Sequence, residues 1–152
     1  MNLAPELLAA ATRENICPAY YRLCAEYPYV AGMNKTSCKE ILAAAKDRLH
    51  LTKLSGPGSV LELFDLPDGL SLRFILQSGG TVETDFSVRE NSAGFRGTFA
   101  ILCNEASKHA GPPPPNPGYP RPYCSSASVF VAVFDDLRHL LITLSRAVGD
   151  AG

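Results

Sequence analysis

Residues 70–88 read LSLRFILQSGGTVETDFSV, and this stretch decides the fold. Apolar and polar side chains alternate with a period of two on both sides of its glycine pair, which is typical of strands that bury one face. A two-residue turn would set Leu76 against Glu83. A three-residue loop at 78–80 instead sets Leu76 against Val82, and a glycine supplies the left-handed backbone that such a loop needs. The stretch therefore predicts an antiparallel hairpin in this register.

The same register sorts the side chains of the hairpin between two faces. It pairs Leu72 with Phe86 on the apolar face and places Arg73 beside Asp85 on the polar face. Ile75 is the exception, because it is an apolar side chain at a polar-face position. We therefore expect one face of the hairpin to be buried and the other to carry charges.

The period of two continues into the neighbouring segments, which predicts a four-stranded antiparallel meander. The fourth strand would pair Phe86 with Gly97 and Thr84 with Phe99. The four predicted strands are Val60–Leu66, Leu70–Gln77, Val82–Val88 and Phe95–Cys103.

Outside the sheet, apolar residues recur at intervals of three and four, which is typical of helices with one buried face. Ser37 and Glu40 form a capping box at the start of the third helix. The predicted helices are Pro5–Thr12, Pro18–Tyr27, a third from Cys38 to near Ser55, and a long C-terminal helix from about 125 to 149. Valines and phenylalanines early in the last segment leave an alternative, a strand at 128–133 followed by a helix that Asp135 caps.

Together these elements predict an α+β fold with N-terminal helices, a four-stranded antiparallel meander, a proline-rich loop and a long C-terminal helix. We expect a two-layer sandwich, in which the helices pack on the apolar face of the sheet. The 152 residues have the usual size of one domain. The prediction is therefore a single α+β domain over 1–152.

The segment 111–124 contains seven prolines. Proline fixes φ and lacks an N–H group, so the segment must leave the regular structure as a stiff connector. Three interpretations stay open: a linear motif that docks into a partner's aromatic groove, a preordered surface loop whose Tyr119 and Tyr123 make contacts, and a disordered crossover. We favour the preordered loop, because tyrosine is a common contact residue at interfaces.

The five cysteines are an odd number and include no close pair of the kind that binds metals. This distribution predicts free thiols in a reducing compartment. One disulfide stays open as an alternative. Cys103 and Cys124 flank the proline-rich loop, and a bridge between them would close its base.

The formal net charge is −1 and the sequence has no run of basic residues, which argues against nucleic-acid binding. No stretch approaches the roughly 18 apolar residues of a membrane span. The first residues lack the basic region of a signal peptide. We therefore expect a cytoplasmic protein that contacts neither nucleic acid nor a membrane.

Two groups of side chains are candidates for a catalytic site. Glu83 and Asp85 lie two residues apart on one strand, as an acid–base pair or a cation site would require. Neighbouring arginines favour solvated ion pairs there instead. Asp135, Asp136 and His139 share a helical face, but a second histidine for a metal site is missing. With neither a nucleophile elbow nor a phosphate-binding loop, we predict no catalytic residues, no metal and no cofactor.

The sequence therefore predicts a non-enzymatic protein-binding domain, of the inhibitor or immunity type that neutralises a toxin or an enzyme. The expected partner is another protein, and the expected contacts are Arg73, Glu83, Asp85, Arg96, Tyr119 and Arg121.

Two alternative functions stay open. The first is a small enzyme or ligand-binding domain whose pocket lies between sheet and helices and uses Asp85, Glu83 or His139. The second is a secretion-type chaperone that exposes an apolar strip. Phe64, Ile75 and Leu102 are the candidates for that strip.

Overall fold

The computed structural model of the chain describes residues 4–31, 35–90, 93–109 and 120–150. These residues form five helices and one antiparallel sheet of five strands, which lie side by side in chain order. The helices are α1 (Pro5–Arg13), α2 (Ile16–Glu26), α3 (Cys38–Ala45), α4 (Phe99–His109) and α5 (Ala127–Asp150). The strands are β1 (Leu51–Lys53), β2 (Ser59–Leu63), β3 (Leu70–Leu76), β4 (Val82–Glu90) and β5 (Ala93–Gly97). A mixed fold with an antiparallel sheet is confirmed, whereas the predicted number of strands is wrong.

The hairpin of β3 and β4 has the predicted register. Leu76 lies opposite Val82, and a single 3-10 turn at 78–80 joins the two strands. Gly79 and Gly80 have φ values of 83° and 85°. The glycine pair therefore supplies the left-handed backbone that the loop length requires.

The predicted strand Phe95–Cys103 is wrong beyond the end of β5. Thr98 ends the strand and caps α4, since its Oγ1 accepts the N–H of Ile101 at 3.1 Å. Phe99 was expected opposite Thr84 as a strand residue. It is instead the first residue of α4 and donates its N–H to Thr84 Oγ1 at 3.1 Å.

The additional strand is β1, which lies at the edge of the sheet. It pairs with β2, and Leu51 lies opposite Leu63. The third predicted helix is correspondingly shorter than expected, because α3 ends at Ala45 and not near Ser55. The N–H of Leu49 donates to the Ala45 carbonyl at 2.9 Å in the turn that follows. A strand of three residues is too short to display a period of two.

Two helix predictions concern capping and length. Ser37 Oγ accepts the N–H of Glu40 at 3.2 Å, so the predicted cap of α3 is confirmed. The last helix is continuous from Ala127 to Asp150, and the alternative strand at 128–133 is wrong. Within the described residues, none of the helices combines the length and the apolarity needed to cross a membrane.

Aromatic rings join the helices to the apolar face of the sheet. Phe134 of α5 stacks on Phe74 of β3 with ring centroids 3.9 Å apart. Phe99 of α4 lies 4.9 Å from Phe86 of β4, and Tyr20 of α2 stacks on the other side of Phe99 at 5.7 Å. All five side chains are buried. The hydrophobic core therefore lies between the helices and this face of the sheet.

Cys17 of α2 and Cys103 of α4 form a disulfide. The prediction of free thiols throughout is therefore wrong, and so is the alternative bridge between Cys103 and Cys124. The physical reason is the packing of α2 on α4, which brings two buried sulfurs together in the core. Cys24, Cys38 and Cys124 are free thiols.

The proline-rich segment is described only at its C-terminal end, and residues 110–119 lie outside the described ranges. The N–H of Val82 donates to the carbonyl of Pro122 at 3.3 Å, and the N–H of Cys124 donates to the carbonyl of Gly80 at 2.8 Å. The end of the segment therefore runs beside the start of β4, where β5 leaves that edge of the strand open.

Candidate functional site

The sheet has a second face, opposite the one against which α4 and α5 pack, and we call it the outer face. Strand alternation assigns to it Glu62 and Phe64 near the end of β2, Arg73 and Ile75 of β3, Glu83 and Asp85 of β4, and Arg96 of β5. Four of the predicted partner-binding residues are among them. Arg121 reaches the same face from the proline-rich segment, whereas Tyr119 lies outside the described residues.

Two ion pairs cross the outer face between neighbouring strands. Arg73 Nε donates to Glu62 Oε2 at 2.8 Å. Arg96 binds both oxygens of Asp85, with Nε 2.9 Å from Oδ1 and Nη2 2.8 Å from Oδ2. Arg73 lies opposite Asp85 in the strand register, yet its ion pair is with Glu62 on the other side. Charges of alternating sign therefore form a row across four strands.

A third ion pair attaches the proline-rich segment to this face. Arg121 Nε donates to Glu83 Oε2 at 2.6 Å, and the other oxygen of Glu83 accepts the N–H of Thr84 at 2.9 Å. Next to it, the hydroxyl of Tyr20 donates to the carbonyl of Pro120 at 2.7 Å. Burial raises the pKa of Tyr20 far above its ordinary value, so the hydroxyl keeps its proton and remains a donor.

In all three pairs the arginine side chain is more exposed than the acidic side chain. The exposed fractions are 70% for Arg96 and 20% for Asp85, 46% for Arg73 and 23% for Glu62, and 33% for Arg121 and 11% for Glu83. The carboxylates therefore lie closer to the sheet. A molecule that approached the outer face would meet the three arginines first.

The apolar strip expected of a chaperone is incomplete. Phe64 is exposed on the outer face and Ile75 is half-buried there. Leu102 was expected on a strand of the same face, but it is a fully buried residue of α4. That part of the prediction is wrong because the segment after Thr98 is helical.

No family model matches the chain, and neither a curated protein nor a solved structure shows a significant match. The outer face is therefore interpreted from its own geometry.

Among the described residues, no hydrogen bond or ion pair joins Asp135 or Asp136 of α5 to His139. Asp135 is held by Arg138, whose Nη2 lies 2.8 Å from Oδ1. Partial burial raises the pKa of Asp136 above its ordinary value, the charges of Asp135 and Glu26 add to the effect, and the charge of His139 lowers this pKa in opposition to them. In the described parts of the chain, no three histidine, cysteine, aspartate or glutamate side chains are arranged to hold a metal ion.

A cavity of about 560 Å³ lies between the sheet and the helices, but Glu83, Asp85 and His139 are not among its lining residues. Its lining comes from the loop before α3, the end of β1, the start of β2, the turn between β3 and β4, and the first turn of α5. Among the described residues, the two charged ones in this lining are Lys35 and Lys53. Sequence reasoning missed the site, because no local pattern relates a loop lysine to an edge-strand lysine 18 positions later.

Proposed function

We propose that the protein binds another protein through the outer face, as an inhibitor or immunity-type domain that covers a functional surface of its partner. In this proposal the molecule is a two-layer α+β domain, with the helices on one face of the sheet and the partner on the other. The observation that carries the proposal is the pair of exposed arginines, Arg73 and Arg96, which project beyond their carboxylates on the outer face, with half-buried Arg121 beside them.

Two physical properties of these arginines favour protein recognition. Arginine is enriched at interfaces because its planar group makes several directed hydrogen bonds and stacks on aromatic rings. The strand register and the ion pairs hold Arg73 and Arg96 in place, so little side-chain entropy is left to lose on binding. Phe64 adds an exposed aromatic ring to the same face.

The charge arrangement also defines the partner's chemistry. Guanidinium groups that project beyond their own carboxylates attract carboxylates of an incoming surface. We therefore propose a partner with an acidic patch. Association should weaken as the salt concentration rises, because such contacts are screened.

The test uses affinity capture from the native host followed by measurements on the purified partner. The variant combines Arg73→Ala and Arg96→Ala, and the matched control is Arg146→Ala, an exposed arginine on α5. We expect the double variant to raise the dissociation constant by at least about tenfold, and the control to bind as the wild type does. A partner that binds the double variant with wild-type affinity would contradict the proposal.

The proposed cytoplasmic location has a separate test. Disulfides are rare in the cytosol and persist in oxidising compartments. Thiols trapped by alkylation in intact cells, followed by mass spectrometry, report whether Cys17 and Cys103 are bridged there. Reduced cysteines support the cytoplasm, whereas a bridged pair argues for an oxidising compartment.

A further inference from the structure

The cavity between the sheet and the helices has a floor built from the end of the sheet. Ser59 lies opposite Leu76 in the register of β2 and β3, and Lys53 lies opposite Leu61. Because Leu61 belongs to the buried face, these positions belong to the face on which the helices pack. Lys53 is therefore an exposed lysine on the helix-facing side of the edge strand.

The charged groups that line this cavity have one sign. Lys35 and Lys53 are both lining residues, and no aspartate or glutamate lines the described wall with them. Neither lysine belongs to an ion pair among the described residues. The carboxylate of Glu40 lies beside this wall, since its Oε1 accepts from Oγ of the lining residue Ser37 at 3.3 Å. The cavity therefore has a net positive lining.

The rest of the lining is partly apolar and partly hydroxylic. Leu76 and the buried ring of Phe130 supply apolar surface. Thr36, Ser37 and Ser59 supply hydroxyl groups. Ligand sites are commonly concave, mostly apolar and about 300–1,000 Å³ in volume, with a few polar groups that fix the ligand. The cavity of about 560 Å³ matches that description.

We propose that this cavity binds a small organic anion, a carboxylate or a phosphate ester that carries a short apolar body. The anionic group is placed between Lys35 and Lys53, and the apolar body against Leu76 and Phe130. Lysine suits this role because its ammonium group is a compact charge with three donors. The site is separate from the outer face, so it neither requires protein binding nor excludes it.

The test titrates the intact, disulfide-bonded protein with three probes and follows binding by calorimetry and by NMR. Phenyl phosphate carries both an anion and an apolar body, inorganic phosphate only the anion, and benzyl alcohol only the apolar body. We expect saturable binding of phenyl phosphate with one site per chain, and at least about tenfold weaker binding of the other two, which corresponds to about 1.4 kcal/mol. Benzoate replaces phenyl phosphate in a parallel titration and identifies which anionic group the site prefers.

Lysine variants locate the site. Lys35→Gln and Lys53→Gln should each weaken phenyl phosphate binding by roughly three- to tenfold. Lys46→Gln is the matched control, because Lys46 is an exposed lysine just after α3 that does not line the cavity. A lysine on an edge strand also prevents edge-to-edge pairing of sheets. A Lys53→Gln protein that aggregates but binds phenyl phosphate with wild-type affinity would show that Lys53 prevents pairing of sheets and would contradict its proposed role in ligand binding.

Covalent modification of the cavity wall tests the site without changing either lysine. Cys38 is a half-buried free thiol in the cavity wall, while Cys24 and Cys124 are buried. Modification of Cys38 with N-ethylmaleimide, verified by peptide mass, should abolish phenyl phosphate binding. The proposal is overturned if no probe binds saturably up to about 10 mM, the range of weak sites. It is also overturned if binding survives the block, or if neither lysine variant weakens it.

Discussion

Arg121 and Glu83 form a hydrogen-bonded ion pair of 2.6 Å between the end of the proline-rich segment and the fourth strand. They are 38 positions apart in the chain. Glu83 is buried even though it belongs to the outer face, since Arg121 covers it. The pair therefore gives a stiff connector a defined place on the sheet.

Removal of Arg121 should destabilise the protein. Arg121→Ala leaves the carboxylate of Glu83 without its arginine partner while it remains largely buried, which we expect to lower the free energy of unfolding by about 1–3 kcal/mol. Urea denaturation measures the change. The double variant Arg121→Met with Glu83→Leu removes both charges and should recover part of the loss. A double variant less stable than Arg121→Ala would contradict the explanation by an unpaired buried charge.

The disulfide between Cys17 and Cys103 should contribute strongly to stability. The two cysteines are separated by 86 positions, and the loss of a bridge that closes so long a loop typically costs 2–5 kcal/mol, so we expect a loss of about that size. Thermal unfolding with and without reductant measures it. The variant that combines Cys17→Ala and Cys103→Ala should unfold at the same temperature in both conditions. The control Cys38→Ala should respond to reductant as the wild type does.

Gly80 should tolerate substitution less well than Gly79. Both glycines have a positive φ, and an alanine there costs about 1–2 kcal/mol from backbone strain. At Gly80 a Cβ atom would also lie 2.8 Å from the carbonyl oxygen of Cys124, whereas at Gly79 it would meet open space. Denaturation of Gly80→Ala and Gly79→Ala separates the two effects. Equal losses would show that the contact with Cys124 is unimportant.

Buried thiols should make the protein sensitive to alkaline pH. Burial raises the pKa of both Cys24 and Cys124 from an ordinary value of about 9 to about 12. Between pH 9 and pH 12 the unfolded chain releases thiol protons that the folded chain keeps. The thiols therefore make their full contribution to the free energy of unfolding below pH 9, and this contribution is lost as the pH rises towards 12.

Denaturation at a series of pH values checks the direction and the size of this effect. Each thiol contributes a slope of at most about 1.4 kcal/mol per pH unit. Cys124→Ala should flatten the decline, and Cys38→Ala, the half-buried control, should leave it unchanged. A stability that rises over this range would contradict the assignment.

The sequence alone determined the central hairpin, because alternation over two long strands and a glycine pair admit one register that buries Leu72, Phe74, Val82 and Phe86 on one face. It also determined the cap of α3, which depends on residues within one turn of each other, whereas it favoured a continuous α5 without excluding a strand at 128–133. The hairpin and the cap are formed by residues that are close in the sequence, so sequence patterns are sufficient to predict them.

The helix after β5 shows where such patterns are ambiguous. Phe95, Gly97, Phe99, Ile101 and Cys103 fit a strand, whereas Phe99, Leu102, Cys103 and Ala106 fit a helix equally well. Packing of Phe99 between Tyr20 and Phe86 and capping by Thr98 favour the helix. Short apolar segments are decided by such tertiary contacts and not by their periodicity.

Only the tertiary structure decided which distant residues meet. Cys17 pairs with Cys103 because α2 packs on α4, and Arg73 binds Glu62 because β2 lies on that side of β3. Lys35 and Lys53 share one cavity because β1 and the loop before α3 meet at the end of the sheet. The physical reason is that the partner of each side chain depends on distances within the packed core, and the separation of residues along the sequence does not determine those distances.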